Sequence, residues 1–246
     1  MTWLSSLGRY CMLMQQVFRK PEKFSIYRNQ ISKEIESLGL GSLGIVAIIS
    51  MFMGAVITIQ SAFGFESPWI PLYAVGVASR DSIVLEFSPT IVSLILAGKV
   101  GSNISSEIGT MRVTEQIDDL EIMGINPSGY LILPKIVAAV FINPFLIIIS
   151  MFLALFGGYV AGVFTHAVTS YEYIYGIQYD FRPFNVTYAL VKTVVFAFII
   201  VSVSAYHGYY TNGGALEVGR SSTKAVVYSS IIILLFNVLI TQLLLS

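Results

Sequence analysis

The sequence predicts an all-α polytopic membrane protein. N-terminal interfacial amphipathic helices are followed by five transmembrane helices, with a short cytoplasmic helix between spans 2 and 3. Three observations predict it. The 246 residues are 55% hydrophobic and only 11% charged, with a mean hydropathy of +0.77, whereas ordinary soluble domains carry roughly 25% charged residues. A core cannot absorb that much apolar surface in a chain this size, so lipid is the implied solvent. Apolar runs long enough to cross a bilayer recur along the chain, and Lys and Arg crowd onto one side of them. The formal net charge of zero gives no sign of a nucleic-acid partner. The one cysteine, Cys11, cannot close an internal disulfide.

Residues 1–42 carry Arg9, Arg19, Lys20, Lys23, Arg28 and Lys33 but no uninterrupted apolar core, so no cleavable signal peptide is expected. "YCMLMQQVF" and "FSIYRNQISKEIESLGL" place aromatic and apolar residues near helical spacing, as amphipathic helices on a membrane surface do. The five spans are expected at Leu43–Phe63, Ile83–Ala97 extending toward Ile104, Ile136–Phe164, Val186–Ala205 and Ala225–Leu245. A spanning helix needs about 20 residues. Glu86 and Pro89 interrupt the second, and the third is long, with Asn143-Pro144 as its expected kink. A cytoplasmic N-terminus puts the six basic residues above, with Lys99, Arg112, Lys135, Arg220 and Lys224, inside. It leaves Arg80 and Arg182 outside and Lys192 within span four. That asymmetry is the positive-inside pattern, and five spans then put the C-terminus on the far side.

The stretch "EIGTMRVTEQIDDLEIMGINP" lies in the loop between spans two and three. As one helix of about three turns it puts Val113, Ile117, Leu120 and Met123 on one side. Glu115, Asp118, Asp119 and Glu121 fall on the remaining arc. Thr110 is the expected N-cap, Gly124 the C′ residue and Pro127 the stop. Anionic headgroups attract basic segments, so an acidic helix with an apolar edge suits a groove on a partner protein better than a lipid surface.

"SSEIGTMRVTEQIDDLEIMGINP" closely resembles the signature of MlaE-type permeases. These are the membrane subunits of ABC transporters that work with MCE-domain proteins to move lipids across the bacterial envelope. "GYYTNGGALEVGRSSTKAVVYSS" (208–230) and "GAVITIQ" (54–60) extend the likeness over roughly residues 40–245. The resemblance implies a five-span permease domain over 43–246 that acts as a homodimer in the bacterial inner membrane, with its C-terminus periplasmic. It implies a coupling helix at about 107–124 seated in the cleft of a separate cytoplasmic ATPase. Glu107, Val113, Thr114, Glu115, Ile117, Asp118, Asp119 and Leu120 would be its contact residues. Val113, Ile117 and Leu120 would fill the groove, and the acidic residues would meet basic groups. A periplasmic MCE-domain protein and a lipid substrate, a phospholipid, complete the implied partners, with room for a cytoplasmic regulator. The permease needs no cofactor and catalyses nothing itself.

A carboxylate costs about 2.5–3.5 kcal/mol at the centre of a span and less near the interface, so Glu86, near the outer end of the second span, is a functional candidate. The family's usual pattern there resembles Arg-Glu-Leu-Gly-Pro. This chain has Leu85-Glu86-Phe87-Ser88-Pro89, so an Arg–Glu pairing within the helix is unavailable and the counter-charge is unassigned. Ile57, Gln60, Phe63 and Phe65 are the other candidates for lining a lipid cavity, which needs apolar walls and a few orienting polar groups.

"GALEVGRS" (214–221) misses the phosphate-binding loop pattern, with Arg220 where lysine is required and no preceding strand. Gly158 and Gly162 have the small-residue spacing that permits close helix packing. His166 and His207 fall on opposite sides of the expected topology and cannot share a metal. Asn185-Val186-Thr187 matches a glycosylation pattern but sits at a span entrance. The rival reading, an ion-coupled or passive membrane transporter or channel, expects charges deep in several spans or inverted repeats. A lipid-modifying enzyme expects a converging nucleophile, base or metal set, and none stands out.

Overall fold

The computed structural model describes residues 3–19, 24–65 and 69–245. Every regular element among them is helical. Helix α1 spans Trp3–Phe18 and α2 Phe24–Gly64. Then come α3 (Tyr73–Ser82), a π-helical stretch (Ile83–Ile91), α4 (Val92–Leu96), a second π-helical stretch (Ala97–Gly101) and α5 (Ser102–Val113), which form one rod. Helix α6 is Gln116–Ile122, α7 Pro127–Phe164, α8 Ser170–Gln178, α9 Pro183–Tyr209 and α10 Ala215–Leu245. Among the described residues five helices are long and apolar enough to cross a membrane: Tyr27–Gly64, Tyr73–Val113, Pro127–Phe164, Pro183–Tyr209 and Ala215–Leu244.

Each expected span is present, and each extends beyond its apolar run. The surface helix expected over residues 24–40 is continuous with the first span, so the division expected at residue 42 falls inside α2. No proline interrupts 24–64, and two of its glycines serve close packing, Gly39 against Ile142 and Gly54 against Ala154. Helix α7 likewise runs unbroken through Asn143-Pro144. Lys20 and Lys23 lie outside the described residues. Helix α8 was not expected, although Thr169 and Glu172 form a complete capping box at its start, a pattern readable in the sequence as Thr-x-x-Glu.

The chain divides into two compact units. One comprises Met1–Ser42, Leu94–Ile142 and Val195–Leu239. Here α1 buries Leu13 and Val17, and Tyr10 donates to Ser202 Oγ at 2.9 Å. Burial raises the Tyr10 pKa, which keeps the hydroxyl a donor, against a smaller lowering by the Ser202 bond. Asn126 Nδ2 donates to the carbonyls of Gln16 (2.9 Å) and Arg19 (3.4 Å), so a side chain next to α7 caps the end of α1.

The other unit comprises Leu43–Ser93, Asn143–Val194 and Ile240–Ser246. Its α2 and α7 touch backbone to backbone. A Cβ at Gly54 would collide with Ala154, and one at Gly157 with Met51. Gly158 admits the hydroxyls of Thr58 and Tyr173 and Gly162 lies against Thr58, so the small-residue spacing in α7 serves packing. Ser150 Oγ donates to Ser88 Oγ at 3.1 Å and receives Ser50 Oγ at 2.8 Å, a buried hydroxyl chain across three helices. Arg80, expected in an outer loop, is 4% exposed. Its Nη1 donates to the carbonyls of Ile177 (2.9 Å) and Tyr179 (2.6 Å), capping α8, and its Nε pairs with Asp81.

Candidate functional site

The acidic stretch forms two helices rather than one. Thr114 ends α5: both its N–H and its Oγ1 bond the Thr110 carbonyl at 2.9 Å, the local back-bonding by which threonine competes with helix continuation. Thr110 therefore lies inside α5 and caps nothing. Glu115 then adopts a left-handed backbone, φ +63°, and its carbonyl accepts the N–H groups of Asp118 and Asp119 at 3.0 Å to start α6. Gly124 closes α6 at φ +78°, a conformation glycine adopts without strain, with Ile125 N–H bonded to the Leu120 carbonyl. Pro127 opens α7 rather than merely stopping α6, in the first-turn position where its missing N–H costs nothing.

This break changes which residues face outward. Ile117 is 0% exposed, so it anchors α6 and is closed to any partner. Val113 and Leu120 are half-buried. Asp118 pairs with Arg112 at 2.5 Å. Glu107 pairs with Lys135 at 2.8 Å, and Lys135 also holds Glu34 at 2.6 Å. Of the expected contact residues, Thr114, Glu115 and Asp119 remain exposed without an inward anchor. They are joined by Glu121, Ile122 (84% exposed) and Met123 (65%). A continuous wheel puts Met123 beside Ile117 and cannot show this, because the left-handed residue rotates everything after it.

In the other unit, Glu86 sits in the first π-helical stretch with Pro89. Proline cannot supply the N–H that an α-turn would place on the Leu85 carbonyl. That carbonyl takes Lys192 Nζ at 3.3 Å, and the same ammonium reaches Glu86 Oε1 at 2.7 Å. Lys192 is wholly buried and lies 4.5 Å from the Tyr188 ring centroid. Thr90 donates to Glu86 Oε2 at 3.1 Å, and Thr241 reaches Oε1 at 3.4 Å. The counter-charge that Leu85 cannot provide thus comes from α9. The Glu86 side chain stays 41% exposed. The remaining lipid candidates do not converge. Ile57 is buried with Ile83 and Ala154, next to Phe87. Phe65 packs on Val75, Val168 and Tyr173. Gln60 and Phe63 face outward. A crevice between Ile57, Phe87, Ile91 and the three linked serines holds about 10 Å³, room for one water and no lipid.

Five apolar rods, an exposed acidic elbow and a neutralised carboxylate within a span describe a multi-pass membrane protein. The chain belongs to the MlaE permease family, whose description, Permease MlaE, matches residues 31–243. It is 38% identical over 242 residues to a probable ABC transporter permease protein of Rickettsia bellii, covering 97% of this chain and 92% of that one. A probable ABC transporter permease protein of Synechocystis is 34% identical, over 96% of this chain and 89% of its own. Protein TRIGALACTOSYLDIACYLGLYCEROL 1, chloroplastic, of Arabidopsis thaliana is 33% identical, over 87% of this chain and 61% of its own. The chain is a membrane permease subunit of an ABC transporter, a class whose name implies an ATPase partner.

Proposed function

We propose that this permease moves lipid, a phospholipid, between the bacterial inner membrane and a periplasmic MCE-domain protein. It acts as a homodimer driven by cytoplasmic ATPase subunits docked on the α5–α6 elbow, with the N-terminus cytoplasmic and the C-terminus periplasmic. Residues 1–42 serve as its interfacial segment and 43–246 as its permease domain. The observation that carries the lipid reading is the Glu86–Lys192 pair. A half-exposed carboxylate in a run, 83–97, with no other charge, held by a buried ammonium of α9, offers a headgroup one polar contact while apolar side chains meet acyl chains. Phe87, the next residue, is such a side chain and packs on Ile57, while Gln60 and Phe63 face outward on α2 as further candidate lipid contacts and Phe65 packs elsewhere. One relative bears the name of a galactolipid, which favours a lipid cargo. The homodimer is favoured by α10, of whose apolar stretch only 11% is buried within one chain. The ATPase contact rests on Glu115, Asp119, Glu121, Ile122 and Met123, an acidic rim around two exposed apolar side chains.

The test is mass spectrometry of lipids co-purified with the permease–ATPase complex, paired with ATP-dependent transfer of a fluorescent phospholipid from vesicles. Phospholipid is expected in the purified complex, and Glu86→Gln is expected to reduce transfer about tenfold. Transfer unchanged in Glu86→Gln, or persisting without any ATPase, counts against the reading; the latter result favours an ion-coupled or passive carrier.

A further inference from the structure

The geometry points to Lys135 as the positioning residue that links the ATPase-facing elbow to the spans. This rests on the docking of the ATPase at that elbow. One ammonium, 4% exposed, joins three helices: it stands on α7, holds Glu34 of α2 at 2.6 Å and holds Glu107 of α5 at 2.8 Å. Two carboxylates on one ammonium leave the cluster with a surplus negative charge, so one contact is replaceable. Exposure decides which. Glu34 is 22% exposed and Glu107 46%, so water takes over the Glu107 contact more cheaply than the Glu34 contact.

The backbone around Glu107 is built to move in the same sense. Helix α5 is bounded on one side by the π-helical stretch Ala97–Gly101 and on the other by the left-handed Glu115. Single π-turns frequently mark functional sites in helices. Lys99, within that stretch, donates to the Gly41 carbonyl of α2, which ties the base of α5 to the same helix that carries Glu34. A force applied at α6 therefore reaches Glu107 through one rigid helix of 12 residues. Lys135, fixed to Glu34, passes it to α2 and α7, the helices that begin two of the spans. Release and recapture of Glu107 make a two-state element of the kind coupling requires.

The test uses the whole transporter, permease with its ATPase, in vesicles of phosphatidylethanolamine and phosphatidylglycerol with a fluorescent phosphatidylethanolamine as probe. ATP hydrolysis and lipid moved per ATP are read together. Lys135→Met is expected to keep the ATPase bound and its hydrolysis within about twofold of the parent, while lipid per ATP falls about tenfold. Glu107→Gln, which keeps an acceptor but not the charge, is expected to lower the ratio about threefold. The exchange Glu107→Lys with Lys135→Glu is expected to recover about threefold over Lys135→Glu alone. A ratio unchanged in Lys135→Met, or hydrolysis and transfer falling in parallel, overturns the inference. So does failure of Glu107→Gln to assemble, because the cluster then only holds the fold. If Glu115→Lys with Asp119→Lys retains the ATPase, the docking reading fails instead. If the parent complex moves no probe, the lipid reading fails, and the inference falls with it.

Discussion

Two of the described lysines are buried, in opposite electrostatic settings. Lys192 meets one carboxylate, one carbonyl and one aromatic ring, a neutral arrangement. Lys135 meets two carboxylates and sits in a cluster with surplus negative charge. The helices explain the difference. The 27 residues of α9 extend about 40 Å, close to a bilayer with its headgroups, so a net charge on its buried face has no water to turn to. The 38 residues of α7 extend about 57 Å, well past the roughly 30 Å hydrocarbon core. Its last turns, from Phe152 to Phe164, are apolar, so the excess length projects at the start, where Ser128, Tyr130 and Lys135 lie. The Glu86 and Glu107 side chains are about equally exposed, 41% and 46%, but Glu86 lies within an apolar run and Glu107 beside the projecting start of α7, so it is Glu107 that has water to turn to. A neutral pair is a fixture of the span; a charged triad with one wet member can exchange partners.

The largest effect is expected where the contrast is sharpest. Lys192→Met leaves Glu86 without its cation and the Leu85 carbonyl without its donor, and should lower stability by about 3 kcal/mol. Thermal unfolding of the detergent-solubilised permease measures it. Adding Glu86→Gln should return most of that loss, since a neutral amide needs no counter-charge. A double variant as unstable as the single one would break the neutral-pair account.

The sequence made Glu86 visible, because a carboxylate in an apolar run is conspicuous, but not its partner. Lys192 lies 106 positions away, and only the crossing of helices brings it near. Pro89 was read as an interruption; it also frees the carbonyl that helps bind Lys192. The five spans were legible because lipid imposes length and composition on each one separately. The elbow was half legible. Its acidic flank and Gly124 stood out, but the break at Thr114 and Glu115 depends on a hydroxyl bonding its own helix. That shift buried Ile117 and exposed Ile122 and Met123. Lys135 was counted only as a positive charge near a loop, since burial and two carboxylate partners are properties of the folded chain.

Lys135→Met should cost less than Lys192→Met, about 1–2 kcal/mol, because Glu107 can turn to water and only Glu34 is left poorly solvated. Thermal unfolding of the two variants side by side gives the order. Equal losses would mean that the surplus charge at Lys135 is not relieved by solvent, and the distinction between a fixture and an exchangeable contact would go with it.

The smallest effect belongs to the third charged contact. Arg112 and Asp118 lie 2.5 Å apart, but their side chains are 32% and 49% exposed. Exposed pairs gain little Coulomb energy in water and lose side-chain freedom, so Asp118→Asn should change stability by no more than about 0.5 kcal/mol. Salt separates this pair from the buried one. At about 1 M ionic strength the Debye length falls to roughly 3 Å, so the difference between the parent and Asp118→Asn should vanish. The difference between the parent and Lys192→Met should persist, because no ion enters where Lys192 has no exposed surface. If salt erased both differences alike, the Lys192 site would have to open to water in the resting protein, and the helix-length explanation for its neutrality would fail.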